Sequence, residues 1–320
     1  MVSLRLAATD ESASMSIVPS GRFAPSPTGA LHLGNLRTAM VAWLFARSSG
    51  GRFAVRMEDL DATVSRPEHE RGQLADLTSL GLDWDGDVVR QSERLTLYEA
   101  AIAQLVDGGL TYPCYCTRRE IREAASAPHG EAPEGDYPGT CRGLTATERT
   151  TREHAGRPPA LRLRSGGETV TIIDRLAGTV TAVVDDVVIR RNDSTPAYNL
   201  AVVVDDAAQG IEQVVRADDL LSSTPRQVHL ARLLGLPVPE HAHVPLVLGP
   251  DGSRLAKRHG AVTLADRGER GEDPAAVRSK LAVSLGLASP GERVTMRELL
   301  DRFDPDRLPR APWVLSEDDR

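Results

Sequence analysis

Between residues 33 and 48 apolar side chains return at helical spacing. Leu33, Leu36, Met40 and Leu44 share one face, which predicts an amphipathic helix over Leu33 to Ser48. A short strand, Gly21 to Ala24, and the turn Pro25-Ser26-Pro27-Thr28-Gly29 precede it, and Gly50 and Gly51 end it. Arg52 to Met57 then reads as an apolar-rich strand. Strand, loop, helix and strand in that order make a βαβ unit, which implies a parallel sheet because parallel neighbours need a crossover.

The pattern changes from about Tyr112 to Arg191. A cysteine-bearing segment and a loop rich in Pro, Gly and Glu lead into alternating runs at Thr169 to Ile173 and Thr179 to Ile189, the mark of an inserted α+β subdomain. From Ala197 the α/β pattern resumes with Leu200 to Val204, a helix beginning near Thr224-Pro225, and a late strand at His243 to Leu248. Helices are predicted at Pro274 to Leu287 and around Thr295 to Phe303. The expected fold class is α/β, with a nucleotide-binding domain at 21–111 and 192–261, an insertion at 112–191 and a short helical region at 262–320. Residues 1–20 carry Asp10 and Glu11 where a secretory signal needs its apolar run, so they are expected to be a disordered leader.

Composition narrows this further. With 320 residues, 41% hydrophobic and 26% charged, the chain can bury a sizeable core. No run approaches the roughly 20 apolar residues of a membrane helix, so a soluble protein is expected. A net charge of -7 argues against nonspecific adhesion to nucleic acid. It leaves room for one basic face, and Arg118, Arg119, Arg122, Arg142, Arg162 and Arg164 are candidates for it. Three cysteines, an odd number, do not make a disulfide framework and fit a reducing cytoplasm.

Two stretches carry chemistry. Arg22-Phe23-Ala24-Pro25-Ser26-Pro27-Thr28-Gly29 runs into His32-Leu33-Gly34-Asn35 at the start of the predicted helix. A helix N-terminus offers unpaired amides and a favourable dipole to an anion. Gly34 lets a phosphate approach the backbone closely, and His32 can donate to a phosphoryl oxygen as charge builds on it. Far downstream, the glycine-bracketed loop from Gly249 to Gly260 carries the cations Arg254, Lys257 and Arg258, suited to closing over a triphosphate and then releasing pyrophosphate. Taken alone, either stretch could be an ordinary surface feature.

Together they resemble the HIGH and KMSKS motifs of class I aminoacyl-tRNA synthetases, whose fold is a Rossmann-like parallel sheet. Arg56-Met57-Glu58-Asp59-Leu60-Asp61, Thr195 to Ala201, Val203-Val204-Asp205-Asp206 and Arg216 to Asp219 with Thr224 to Gln227 continue the resemblance in order, toward the glutamyl subgroup, over residues 21 to 300. The downstream loop departs from the usual letters, with Arg254 and Ala256 where Lys and Ser are typical, and Lys257 keeps the key lysine position. The resemblance implies catalytic roles for His32 and Lys257. It places ATP on Pro25, His32, Gly34, Asn35, Arg254 and Lys257.

Glutamate carries two carboxylates and one ammonium, so its pocket needs two cations and one anion. Arg22, Arg216 and Glu58 supply that set. The resemblance adds Ser26 and Tyr198. Val202 stands where glutamyl enzymes often carry asparagine, which should weaken glutamate binding. Cys114-x-Cys116 with Tyr137-x-x-x-Cys141 offers thiolates for zinc. The same arrangement occurs in the glutamyl-Q tRNA(Asp) synthetases, a truncated group related to glutamyl-tRNA synthetase. Because tyrosine is an uncommon zinc ligand, water, Asp136 and His129 stand as substitutes for Tyr137.

Only sixty residues follow Gly260, enough to begin a stem-contact-like region and too few for an anticodon-binding domain. The implied reaction is ATP-dependent activation of L-glutamate, with magnesium, and transfer to the queuosine base of tRNA(Asp) by a cytoplasmic monomer with one structural zinc. A minimal glutamyl-tRNA synthetase charging the acceptor end, and a non-catalytic tRNA-binding paralogue, are the alternatives.

Overall fold

The computed structural model describes residues 19–117, 119–121, 137–255 and 262–316. Lys257, Arg258, Arg118, Arg122, His129, Asp136 and all of the expected leader except Pro19 and Ser20 lie outside the described residues. The chain opens with β1 (Gly21–Phe23), α1 (Leu33–Ser48), β2 (Phe53–Met57), α2 (Pro67–Ser79), β3 (Val89–Arg90) and α3 (Leu95–Asp107). The middle holds β4 (Thr111–Cys114), α4 (Ala146–His154), β5 (Ala160–Leu163), β6 (Thr169–Asp174), β7 (Gly178–Val183) and β8 (Val188–Arg190). Then come α5 (Tyr198–Ala208), β9 (Gln213–Ala217), α6 (Thr224–Leu234), β10 (Glu240–Val244) and β11 (Val247–Leu248). The last elements are α7 (Leu264–Glu269), α8 (Pro274–Ser284), α9 (Met296–Arg302) and β12 (Trp313–Val314).

The main sheet has the order β3-β2-β1-β9-β10-β6-β7. Its neighbours run parallel from β3 to β6, and β6 and β7 close it as an antiparallel hairpin. The chain passes from β1 to β2 on one side and returns with β9 on the other, so the crevice for a ligand opens beyond the C-terminal end of β1. β1 and β2 are buried along their whole length, as strands covered on both faces must be.

Helix α1 spans the expected residues, but its burial differs from the expected single apolar face. Cover extends right round the helix, and even Arg37 and Thr38 are buried. The sheet covers one side. Val277 and Leu281 of α8, and Met296 and Leu299 of α9, join the apolar cluster of Leu36, Met40 and Leu44 from the other. Phe303 packs edge-on against Phe45 with ring centroids 5.3 Å apart, and Arg37 donates to the Pro245 carbonyl at 2.9 Å and to Ser284 Oγ at 3.0 Å. Residues 262–316, expected as a short helical region, thus pack into the main core.

The boundaries expected at 112 and 191 do not coincide with those of the sheets. β4, β5 and β8 form their own antiparallel sheet, whereas β6 and β7 extend the main one, with Asp174 opposite His241. Buried Val170, Ile172 and Asp174 alternate with exposed Thr169, Thr171 and Ile173. That alternation identifies a half-buried strand and says nothing about which sheet it joins. The run Leu200 to Val204 lies in a helix, α5. Among the described residues no helix is long and apolar enough to cross a membrane.

Candidate active site

A cavity of about 620 Å³ opens beyond β1, β2 and β9. Arg22 and, just after β1, Pro25 and Ser26 line it, as do His32, Gly34 and Asn35 at the start of α1. Glu58 enters from the end of β2, Tyr198 from the start of α5, Arg216 from β9, and Arg254 from the downstream loop. Every described residue expected to hold glutamate or ATP therefore meets in one cavity.

His32 caps α1. Its Nδ1 accepts the Asn35 amide at 3.2 Å, and Asn35 Oδ1 accepts the His32 amide at 3.1 Å. Burial pushes the His32 imidazole below its ordinary pKa, against an upward pull from Asp219, so the ring is neutral near pH 7. With Nδ1 committed as acceptor, the proton sits on Nε2, leaving a donor for the cavity. The Asn35 side chain, expected on ATP, is used in this cap. Of the first-turn amides, Leu33 donates to the Val262 carbonyl and Leu36 to that of His32, while Gly34 has no partner among the described residues. Arg254 is held toward the cavity by Asp219 at 3.2 Å.

Gly34 keeps the space that His32 needs. A Cβ there would lie 3.0 Å from both Cε1 and Nδ1 of the imidazole. Gly34→Ala is expected to leave Tm near the wild-type value, because alanine's helix advantage of about 1 kcal/mol over glycine offsets a similar loss from the disturbed His32 cap. The same change should slow adenylate formation on the order of tenfold by turning the ring. Thermal melts beside pyrophosphate exchange check this, and a parallel loss of both would contradict it.

At the other end of the cavity charges are interleaved. Arg22 donates through Nε and Nη2 to Asp206 at 3.1 and 3.4 Å, and Arg56 donates through Nη1 to the same carboxylate at 2.8 Å. Burial alone would raise the Asp206 pKa, yet the two guanidinium groups hold it at about 2. Glu58, 3.5 Å from Arg56, is pushed upward by burial and held back by Arg56 and Arg22. Arg216 Nη1 meets the Tyr198 hydroxyl at 3.3 Å. The expected set of two cations and one anion is present, with Asp206 as a further member that the motifs alone did not assign. Its signal was available: adjacent carboxylates, Asp205-Asp206, end an apolar helical run and are buried with it. Val202 packs in the apolar cluster with Leu200 and Leu230 and does not line this cavity.

A second cavity, about 850 Å³, shares Ser26, Glu58 and Tyr198 with the first and reaches the cysteines. Arg157, Arg191 and Arg226 line it. Of the arginines expected on a basic face, several have partners within the chain. Arg162 stacks over the Tyr137 ring at 3.6 Å, Arg142 pairs with Asp186 at 2.5 Å, and Arg164 lies over Tyr112 at 4.8 Å.

Cys114, Cys116 and Cys141 place their sulfurs within 4.8 Å of one another, with Cys116 and Cys141 3.4 Å apart. The Tyr137 hydroxyl lies 3.4 Å from Cys114 Sγ and 3.8 Å from Cys116 Sγ. Zinc bound tetrahedrally to thiolates at about 2.3 Å sets sulfurs about 3.8 Å apart, so the cluster could hold a metal. Strand β4 delivers the first cysteine, and the turn after Tyr137 brings Cys141 back to it.

The parallel sheet, the capped helix after β1 and the charged cavity beyond it define a nucleotide-dependent enzyme of the class I synthetase type. The family described as tRNA synthetases class I (E and Q), catalytic domain, matches residues 20–319, and the chain belongs to it. It is 62% identical over 298 residues to the glutamyl-Q tRNA(Asp) synthetase of Nocardia farcinica, covering 93% of each chain. It is 51% identical to the protein of the same name from Symbiobacterium thermophilum, covering 91% of this chain and 94% of that one. A solved glutamate tRNA ligase from Elizabethkingia meningosepticum, in complex with its amino acid, superposes with a TM-score of 0.80 at 29% identity, covering 94% of this chain and 68% of the other.

Proposed function

We propose that the protein activates L-glutamate with ATP and transfers it to the queuosine base of tRNA(Asp). The observation that carries this is the shared cavity, in which a donor for phosphate and a pocket of alternating charge lie side by side. Arg22, Ser26, Glu58, Tyr198 and Arg216 hold the amino acid, with Glu58 facing its ammonium. The α-carboxylate oxygen then attacks the α-phosphorus of ATP. The bond from that phosphorus to its bridging oxygen breaks, and pyrophosphate leaves. His32 Nε2 donates to the phosphoryl oxygens as their charge grows, the Gly34 amide joins it, and Arg254 and Lys257 bind the departing phosphates. Magnesium accompanying ATP would supply positive charge to offset that of the phosphates.

Glutamate-dependent pyrophosphate exchange, run without tRNA, tests the first step. Transfer of labelled glutamate to queuosine-containing tRNA(Asp), set against tRNA(Glu), tests the second. Labelling of tRNA(Glu) alone would identify an enzyme that charges the acceptor end, and no exchange would identify a non-catalytic paralogue.

Cys114, Cys116 and Cys141 hold zinc in this reading, with Tyr137 beside them. The ion would tie β4 to the turn at Cys141, a structural task. About one zinc per purified chain is expected by atomic absorption, with loss of the metal in Cys141→Ser. A metal-free wild type would remove the site from the proposal. The reaction points to a cytoplasmic enzyme, and monomeric behaviour in gel filtration is expected.

A further inference from the structure

Behind Arg216 lies a buried chain of side chains to which the reaction above gives no task. Arg216 Nε donates to His243 Nε2 at 3.1 Å, and His243 Nδ1 meets Asp174 Oδ2 at 2.5 Å. The side chains of His243 and Asp174 are fully buried. Thr224 Oγ1 accepts from Arg216 Nη2 at 2.8 Å and lies 3.1 Å from His243 Nε2. Asp174 Oδ1 accepts three backbone amides, from Leu176 at 2.9 Å, Ala177 at 2.8 Å and His243 at 3.0 Å. The carboxylate thus enters from the β6–β7 hairpin and is fixed there before it touches the imidazole.

Donor and acceptor capacity leaves one consistent arrangement. A guanidinium can only donate, so His243 Nε2 must present a lone pair to Arg216. The opposite nitrogen must then carry the proton, and an ionised carboxylate, which can only accept, holds it there. Burial, despite Asp174, keeps the His243 pKa below its ordinary value, so the ring is neutral. Of the five N–H groups of Arg216, Nε serves His243 and Nη2 serves Thr224 and the Leu220 carbonyl at 3.4 Å. Nη1 remains, with the Tyr198 hydroxyl at 3.3 Å. The chain from Asp174 therefore sets which nitrogen of Arg216 is left for the cavity.

We propose that Asp174 and His243 are positioning residues for amino-acid recognition: Asp174 fixes the His243 tautomer, and His243 fixes the fork of Arg216 against the substrate carboxylate. This rests on the assignment of Arg216 to glutamate. It adds that the inserted hairpin, through Asp174, determines how well the amino acid is bound.

Asp174→Asn is the decisive variant. Asparagine keeps an Oδ1 for the three backbone amides, so the turn is retained, but it offers an N–H in place of Oδ2. His243 must then accept at Nδ1 and carry its proton on Nε2, directly opposed to the Arg216 N–H. KM for glutamate is expected to rise on the order of tenfold, as for loss of a hydrogen bond to a charged group, with KM for ATP within about twofold. Nitrogen NMR of the full chain should show the His243 proton moving from Nδ1 to Nε2. Adding His243→Gln to the Asp174→Asn variant should restore KM, because the glutamine amide can turn its oxygen toward Arg216 whatever stands at position 174.

An unchanged KM for glutamate in Asp174→Asn overturns the proposal, as does a rise in both KM values together with a fall in Tm. A wild-type enzyme without glutamate-dependent exchange would instead remove the glutamate assignment itself. Active wild type with an indifferent Asp174→Asn leaves that assignment standing and removes only the positioning chain.

Discussion

His32→Ala is expected to slow glutamyl-adenylate formation by about 10²- to 10³-fold, the usual effect of deleting one donor to a developing anion. The imidazole has two tasks, and the substitution removes both. Its Nδ1 caps α1, so the alanine variant should also lose about 1 kcal/mol of stability. His32→Asn separates the tasks, because asparagine can accept the Asn35 amide but cannot extend a donor as far as Nε2. That variant should melt like the wild type and remain nearly as slow as His32→Ala. Pyrophosphate exchange beside thermal melts reads both numbers, and a fully active His32→Asn would show that capping was the only contribution.

Asp206→Ala should cost about 3–5 kcal/mol of stability, the range for removing one member of a buried ion pair. Arg22 and Arg56 both rely on this carboxylate, and both guanidinium groups are buried. Arg56 would retain Glu58 at 3.5 Å and Asp205 at 3.7 Å, whereas Arg22 would keep, among the described residues, the Val215 carbonyl at 3.4 Å. Glutamate binding should therefore weaken as well. Denaturant melts give the stability term. A loss under about 1 kcal/mol would mean the arginines find solvent or other partners.

The same pair predicts a response to acid. The folded Asp206 pKa, about 2, lies below the ordinary 3.8. Its contribution is then complete above 3.8 and is lost as pH falls through the folded value near 2. In the alanine variant the decline in stability across that window should be shallower than in the wild type.

Much of this site was legible because it is local. The helix cap, the glycine beside it and the turn after β1 all lie within a few residues of one another, where spacing along the chain is distance in space. Pairs such as Arg22 with Asp206, 184 residues apart, have no such trace. Their one advance sign was chemical, carboxylates at the end of an apolar run. The hairpin at Thr169 to Val183 was readable as strands, yet its membership of the main sheet depended on a single parallel contact at Asp174. The burial of α1 on all sides was hidden for a similar reason, since its second cover comes from the far end of the chain. Lys257, the residue most clearly marked by the motif, lies outside the described residues, so its part in the site rests on the resemblance.

The late arrival of that cover bears on synthesis. Helix α1 is complete at Ser48, but α9 ends only at Arg302, about 250 residues later, which at ribosomal rates is on the order of tens of seconds. Throughout that interval Phe45 waits without Phe303, the ring that will finally pack against it. The nascent chain should accordingly be a client of folding helpers that bind apolar segments, until its last helices leave the tunnel.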